Sequence, residues 1–241
     1  LLTVPYIGLV TAFGSILGLI FRIFDSSGDL VVDLARWWAG WVLWFSGVRL
    51  KVEYHAELRA DQPYVFMVNH ASSIDIWASF RVIPFRVRMI AKKQLARIPL
   101  FGWVMWAGRF IFIDRQSATA ARRSIQDAGR RIASGCSVLI FPEGTRTRDG
   151  QLGEFKKGGF HLAMEAGVPI VPIALQGTRE LMPRGSLRVK SGTVKAIVGA
   201  PVPTQGLKAS DRAALLEQVR GSIAAMLAEE QQGQTASAAP R

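Results

Sequence analysis

The chain has 241 residues, 49% of them hydrophobic, with three histidines, one cysteine and a formal charge of +12 at pH 7. Together with a mean hydropathy of +0.21, that length suits one globular domain with an appendage. The lone Cys136 excludes an intrachain disulfide and argues against a cysteine-built metal site. The absence of a zinc-finger spacing or an aromatic-basic RNA module argues against nucleic acid as the partner of so basic a chain.

Residues 1 to 21 carry no charge and as a helix would reach roughly across the hydrocarbon of a bilayer. Pro5 and the glycines among them fit a tilted or re-entrant helix as well as a straight span. Residues 31–50 hold Trp37, Trp38, Trp41 and Trp44, the residue type favoured where lipid meets water. Asp33 and Arg36 in the same stretch favour an amphipathic helix lying in the interface. The structural alternative is a hydrophobic hairpin covering a soluble core. Arginines and aspartates balance over residues 1–50, so the net charge belongs to the rest. Between Arg81 and Arg109 there are basic residues and no acidic one, which suits anionic headgroups or a phosphorylated substrate.

Residues 51–60 read as mixed and polar. The run YVFMVNH is continuously apolar up to Asn69, as in a strand buried on both faces. A short helix over 73–81 follows, then a strand at 86–92, helical material over 93–107, a strand at 109–115 and a helix over 117–134 that stops at Gly135. A strand at 137–142, a helix over 157–166, a strand at 169–175, two strands within 187–198 and a helix from Ser210, its cap, to Glu230 complete the series. This alternation predicts an α/β domain with a largely parallel or mixed sheet flanked by helices. Three regions result: hydrophobic helices over 1–50, a catalytic-type domain over 51–230, and a disordered tail over 231–241.

His70 ends the first buried strand, and Asp75 follows five positions later. Ser72 and Asp75 have the spacing of a helix capping box, which leaves His70 unexplained. A carboxyl strand end is where α/β sheets present functional groups, and a turn there lets Asp75 orient the imidazole as a base. In FPEGTRTRDG, Gly144 permits a close turn and Arg146 offers a fork of donors for phosphate oxygens. The alternative is a tight charged turn. Lys156, Lys157 and the following glycines open a helix whose amides could face an anion, whereas His161 reads as structural.

These residues resemble the membrane-associated glycerolipid acyltransferases, specifically the 1-acylglycerol-3-phosphate acyltransferase group. Asn69, His70, Ser72 and Asp75 match the first family motif. Gly108 to Arg115, with Phe112 and Arg115 in the recognisable positions, match the second. Phe141 to Arg146, continuing to Phe155–Gly158, match the third, and Val171-Pro172-Ile173 the fourth. Thr147 stands where many relatives have serine. The resemblance implies a glycerolipid acyltransferase-like fold with an N-terminal membrane-binding region. It implies acyl transfer from a thioester to the 2-hydroxyl of lysophosphatidic acid, giving phosphatidic acid, with His70 as general base and Asp75 orienting it. Glu143, Gly144, Thr145 and Arg146 would position the glycerol phosphate, with Arg115 and Lys92 adding to the anionic pocket. Acyl-CoA or acyl-acyl carrier protein would be the cosubstrate, with no resident cofactor and no metal. The partners would be lysophosphatidic acid and membrane phospholipids, at the inner or cytoplasmic membrane, with the catalytic domain on the cytoplasmic side. Other readings are a different lysolipid or an acyl-amino-acid lipid as acceptor, or a non-catalytic lipid-binding protein. A hydrolase is disfavoured by the lack of a Gly-x-Ser-x-Gly elbow.

Overall fold

A computed structural model describes residues 3–113, 118–186 and 188–237. Its strands are β1 (Val48–Tyr54), β2 (Val65–Val68), β3 (Val87–Lys92), β4 (Ile111–Ile113), β5 (Ser137–Ile140), β6 (Ile170–Gln176) and β7 (Gly192–Val198). They form one sheet in the order β1-β7-β6-β2-β5-β3-β4. The strands from β6 to β4 run parallel, and β7 turns antiparallel to β6 with β1 parallel beside it. The sheet is therefore mixed, with a parallel centre.

The continuous apolar runs follow from this placement. Phe66, Val68, Val171, Ile173 and Leu175 enter the core on one face, while Val65, Met67, Ile170 and Ala174 enter the core on the other. Successive side chains of a strand point to opposite faces, so a strand covered on both faces needs no polar residue. The first face carries α2 (Asp29–Phe45) and α3 (Ile74–Val82), with α1 (Thr3–Phe24) packed on α2 and on α4 (Phe101–Ala107). The second carries α5 (Ala118–Ala133), α6 (Lys157–Ala166) and α8 (Arg212–Ser237), with a single-turn α7 (Thr178–Leu181) after β6.

Several elements depart from the sequence expectations. Residues 48–54 form an edge strand, because Val48, Leu50, Val52 and Tyr54 alternate with Arg49, Lys51 and Glu53, and α2 stops at Phe45 before the left-handed Gly47. Their charges suit an edge that must not recruit another strand. Among the described residues one strand, β7, not two, occupies the 187–198 region. Pro99 separates a 3-10 turn over Lys93–Arg97 from α4. Ser210 lies inside a 3-10 turn and bonds Asp211 rather than capping α8. Helix α8 continues through Ser237, into the stretch whose composition suggested a disordered tail.

Helix α1 is continuous from Thr3, with Pro5 in its first turn, where a missing amide costs nothing. One face is packed: Ser15 is buried, and a Cβ added at Gly18 would come within 2.4 Å of the Val104 side chain on α4. The other face leaves Leu9, Phe13, Ile20 and Phe24 exposed, continuing into Trp37, Trp41 and Trp44 of α2 and Trp103 and Trp106 of α4. Gly18→Val should therefore push α1 from α4 and lower stability by about 1–3 kcal/mol, measured as a shift in detergent-solubilised thermal unfolding. An unchanged midpoint would show that α1 does not seat there.

Candidate active site

Where β2 ends, the Asn69 side chain replaces the next rung of the parallel ladder. Its Nδ2 donates to the Leu175 carbonyl at 2.9 Å, and the Leu175 amide donates to its Oδ1 at 2.7 Å. This ties the strand end to β6 while freeing the backbone to turn. His70 comes next, with its main chain gripped by the loop after β5: its amide donates to Glu143 Oε1 at 2.7 Å and its carbonyl accepts from the Thr147 amide at 2.9 Å.

The turn then brings Asp75, in the first turn of α3, back to the ring. Asp75 is fully buried, and its Oδ2 accepts from His70 Nδ1 at 2.9 Å and from the amides of Ala71 and Ser72 at 2.7 Å each. A carboxylate oxygen already taking two amides meets Nδ1 as an acceptor, so Nδ1 carries the proton and Nε2 presents a lone pair. The ring also stacks on Phe141, with centroids 4.0 Å apart, and its side chain stays 14% exposed. Among the described residues Nε2 has no protein partner. Only half of the expected capping box exists. Asp75 accepts the Ser72 amide, but Ser72 Oγ takes the amide of Ile74 and donates to the Met182 carbonyl.

The loop after β5 turns at Gly144, whose φ of 72 permits it, with its amide on the Phe141 carbonyl. Thr145 is exposed there. Arg146 Nη1 donates to Ser73 Oγ at 2.8 Å, which sets the guanidinium beside the His70 turn. Glu143 is buried at 4% exposure, with Oε1 on the His70 amide and Oε2 on the Gly153 amide at 3.0 Å. Burial pushes its pKa up, and the two amides pull against that shift. Its position is that of a brace between the His70 turn and the following loop. The sequence expectation sets Glu143 among the residues that position the glycerol phosphate, and here both of its oxygens accept backbone amides.

Lys92 closes β3 at the same sheet edge and is exposed, but among the described residues no hydrogen bond or ion pair links it to the His70 cluster. Arg115 lies outside the described residues. Gly159, in the glycine pair opening α6, serves packing: an added Cβ would meet Met67 and Ile140 side chains at 3.3 Å. His161 is exposed on α6, 3.7 Å from Glu165. Ser73, Met182 and Arg184, which bond Arg146 or Ser72, are not singled out by the sequence, and Phe141 enters there only as part of the third motif, without its stacking on His70.

Beside Ser73 opens an apolar cavity of about 320 Å³ between α1, α2, α3 and α4, with Trp38, Ile76, Trp77, Phe80 and Phe110 in its walls. The arrangement thus sets an imidazole nitrogen with its lone pair and a guanidinium at a site neighbouring a slot suited to a hydrocarbon chain.

A family model described as Acyltransferase matches residues 49–176. The chain is 37% identical to 1-acyl-sn-glycerol-3-phosphate acyltransferase alpha of Bos taurus over 178 residues, 73% of this chain and 62% of that one. It is 36% identical to the beta protein of Homo sapiens over 187 residues, 77% and 67% of the two chains. The 1-acyl-sn-glycerol-3-phosphate acyltransferase of Limnanthes douglasii matches at 36% over 168 residues, 68% and 58%. The chain therefore spans about 62% of the length of the bovine relative. The crystal structure of the 1-acyl-sn-glycerophosphate (LPA) acyltransferase PlsC from Thermotoga maritima superposes with a TM-score of 0.79 at 22% identity, covering 95% of this chain and 94% of that one, a likeness of fold.

The Glu143 brace can be tested by Glu143→Gln, which keeps the shape but offers an amide nitrogen to one of two N–H donors. A buried donor left unpaired costs about 1–3 kcal/mol, so denaturant unfolding should show a loss of that size. Wild-type stability would place Glu143 outside any bracing role.

Proposed function

Because this chain belongs to the acyltransferase family, we propose that it transfers a fatty acyl group from a thioester to the 2-hydroxyl of 1-acyl-sn-glycerol 3-phosphate, forming phosphatidic acid. The observation that carries this reading is the His70 ring, with Nδ1 held by Asp75 and Nε2 without a partner among the described residues, beside Arg146 and the apolar cavity. The named activities of the relatives support the same acceptor.

In this mechanism Nε2 takes the hydroxyl proton as the oxygen attacks the thioester carbonyl. The tetrahedral oxyanion collapses, the carbon–sulfur bond breaks, and the imidazolium returns its proton to the departing thiolate. Asp75 stabilises the imidazolium through Nδ1 without taking the proton. The amides of His70, Ala71, Ser72 and Gly144 are already bonded within the protein, so the donors for the oxyanion lie elsewhere. Arg146 meets the acceptor phosphate, and an acyl chain occupies the cavity.

The same reading places the protein on one leaflet. A crossing helix would present lipid all round, whereas α1 is packed on α2 and α4 along one face and bares apolar side chains on the other. Such a face, rich in tryptophan, fits a helix layer lying in the interface. The catalytic domain then sits on the cytoplasmic side of the inner or cytoplasmic membrane, beside its lipid substrate.

The deciding experiment is acyl transfer by the vesicle-bound protein across lysophosphatidic acid and other lysolipids. Lysophosphatidic acid should be preferred, and His70→Ala should lower kcat by about 10²–10⁴-fold, the range of a lost general base. Equal use of lysolipids lacking the phosphomonoester would remove the acceptor assignment, and near-normal turnover by the variant would remove the base. A second test concerns the cavity. Thr11, Gly14 and Ser15 share its α1 wall, and nothing lies within 4 Å of a Cβ placed at Gly14. Gly14→Phe should shift donor preference toward shorter acyl chains in a competition assay, and an unaltered chain-length profile would place the acyl chain elsewhere.

A further inference from the structure

Several arginines of this protein are neutralised at contact distance: Arg86 by Asp33 and Asp29, Arg88 by Asp29, Arg59 by Asp61 and Arg130 by Asp127. Around the loop that carries Arg146 the pattern changes. Among the described residues, Arg146, Arg148, Arg179, Arg184, Arg188 and Lys190 form no ion pair with any carboxylate. Asp149 and Glu180 lie in the same two segments. Asp149 instead accepts the Gln151 amide, and Glu180 is exposed and bound to none of these cations.

The fold draws these cations to the His70 site. The segment after β6 is fastened to the catalytic turn where Ser72 Oγ donates to the Met182 carbonyl at 2.7 Å. It is fastened to the Arg146 loop twice more: Arg184 Nη1 donates to the Arg146 carbonyl at 2.9 Å, and Arg179 Nη2 to the Arg148 carbonyl at 3.2 Å. The Lys190 amide on the Leu181 carbonyl closes the loop on itself. Arginines spent on carbonyls keep their full charge and most of their donors. Unneutralised like charges at such spacing repel, and an anion bound among them would relieve that repulsion.

Acyl transfer to a lysophosphate consumes two anionic reactants. Arg146 provides a bidentate fork for the acceptor phosphate, which leaves the charge on residues 179–190 unassigned. The donor's acyl chain can enter the apolar cavity, but its polar carrier has to remain in water at the mouth. In both coenzyme A and acyl carrier protein the thioester hangs on a phosphopantetheine arm with an anionic phosphate. Resting on the acyl-transfer reading above, we propose that the loop bearing Arg179, Arg184, Arg188 and Lys190 is the docking rim for the phosphopantetheine-borne acyl donor.

The test uses the full chain on phospholipid vesicles. The double variant Arg188→Glu/Lys190→Glu alters exposed side chains that form no hydrogen bond or ion pair among the described residues. With the double variant, the KM for the donor should rise about tenfold at low salt, an effect that shrinks as salt is added. The KM for lysophosphatidic acid, kcat and vesicle co-sedimentation should stay within about twofold of wild type, as distal charges act on encounter rather than chemistry. A rise confined to acyl carrier protein supports recognition of the acidic carrier, and a rise shared with acyl-CoA supports recognition of the phosphate arm. An unchanged donor KM overturns the proposal. So does a rise in the KM for lysophosphatidic acid instead, which makes the rim an acceptor site, or a loss of vesicle binding instead, which makes it a membrane contact. Affinity for an unreactive thioether analogue of acyl-CoA, read without turnover, should fall in parallel. A wild type that binds this analogue yet fails to acylate lysophosphatidic acid contradicts the acceptor assignment and leaves the docking rim standing.

Discussion

A single carboxylate oxygen organises the centre of this protein. Asp75 Oδ2 receives His70 Nδ1 and the amides of Ala71 and Ser72, so one buried group closes the turn after β2, begins α3 and fixes the tautomer of the imidazole. Its negative charge also lies in the first turn of α3, where the helix dipole favours it. The structural and chemical demands on Asp75 coincide, which is why helix capping and base orientation need not be set against each other. The remaining contacts serve that turn: Asn69 anchors its entry to β6, Glu143 and Thr147 hold the His70 backbone, and Met182 receives Ser72.

The same turn joins two environments. On one side, Ser73 links the guanidinium of Arg146 to a cavity walled by aromatic side chains. On the other, the loops after β5 and β6 present cations to water. A reaction between a lipid and a thioester with a polar carrier needs both surfaces to meet at one nitrogen, and the carboxyl edge of a parallel sheet provides such a meeting point. On the proposed function, the basic chain charge and the apolar N-terminal helix, charged only at Arg22, would serve one task, the meeting of anionic reactants at a lipid surface.

Much of this was legible where the signal is local. The pairing of His70 with Asp75 lies within one turn, and the buried strands betray themselves by runs such as Val65 to Val68 that enter the cores on both faces. Resemblance to known motifs supplied the order of the parts. What could not be read depends on contacts between distant segments: Asn69 with Leu175, Glu143 with His70, and Met182 with Ser72. No spacing rule shows that Glu143 turns toward two amides. The edge strand Val48–Tyr54 was hidden because its alternation begins where the tryptophan-rich helix ends. The cavity arises from the packing of four helices, which periodicity does not describe.

The central claim is that Asp75 holds His70 as a base with its lone pair on Nε2. Asp75→Asn tests it most directly, since an amide oxygen can keep accepting from Nδ1 and from the Ala71 and Ser72 amides while removing the negative charge that stabilises the imidazolium. With the purified protein on vesicles, kcat for lysophosphatidic acid should fall by about 10²–10⁴-fold, with the KM for the acceptor little changed and the unfolding transition still cooperative. A folded variant with near wild-type kcat would contradict the account, because the nitrogen facing the substrate would then need no help from Asp75 to take a proton.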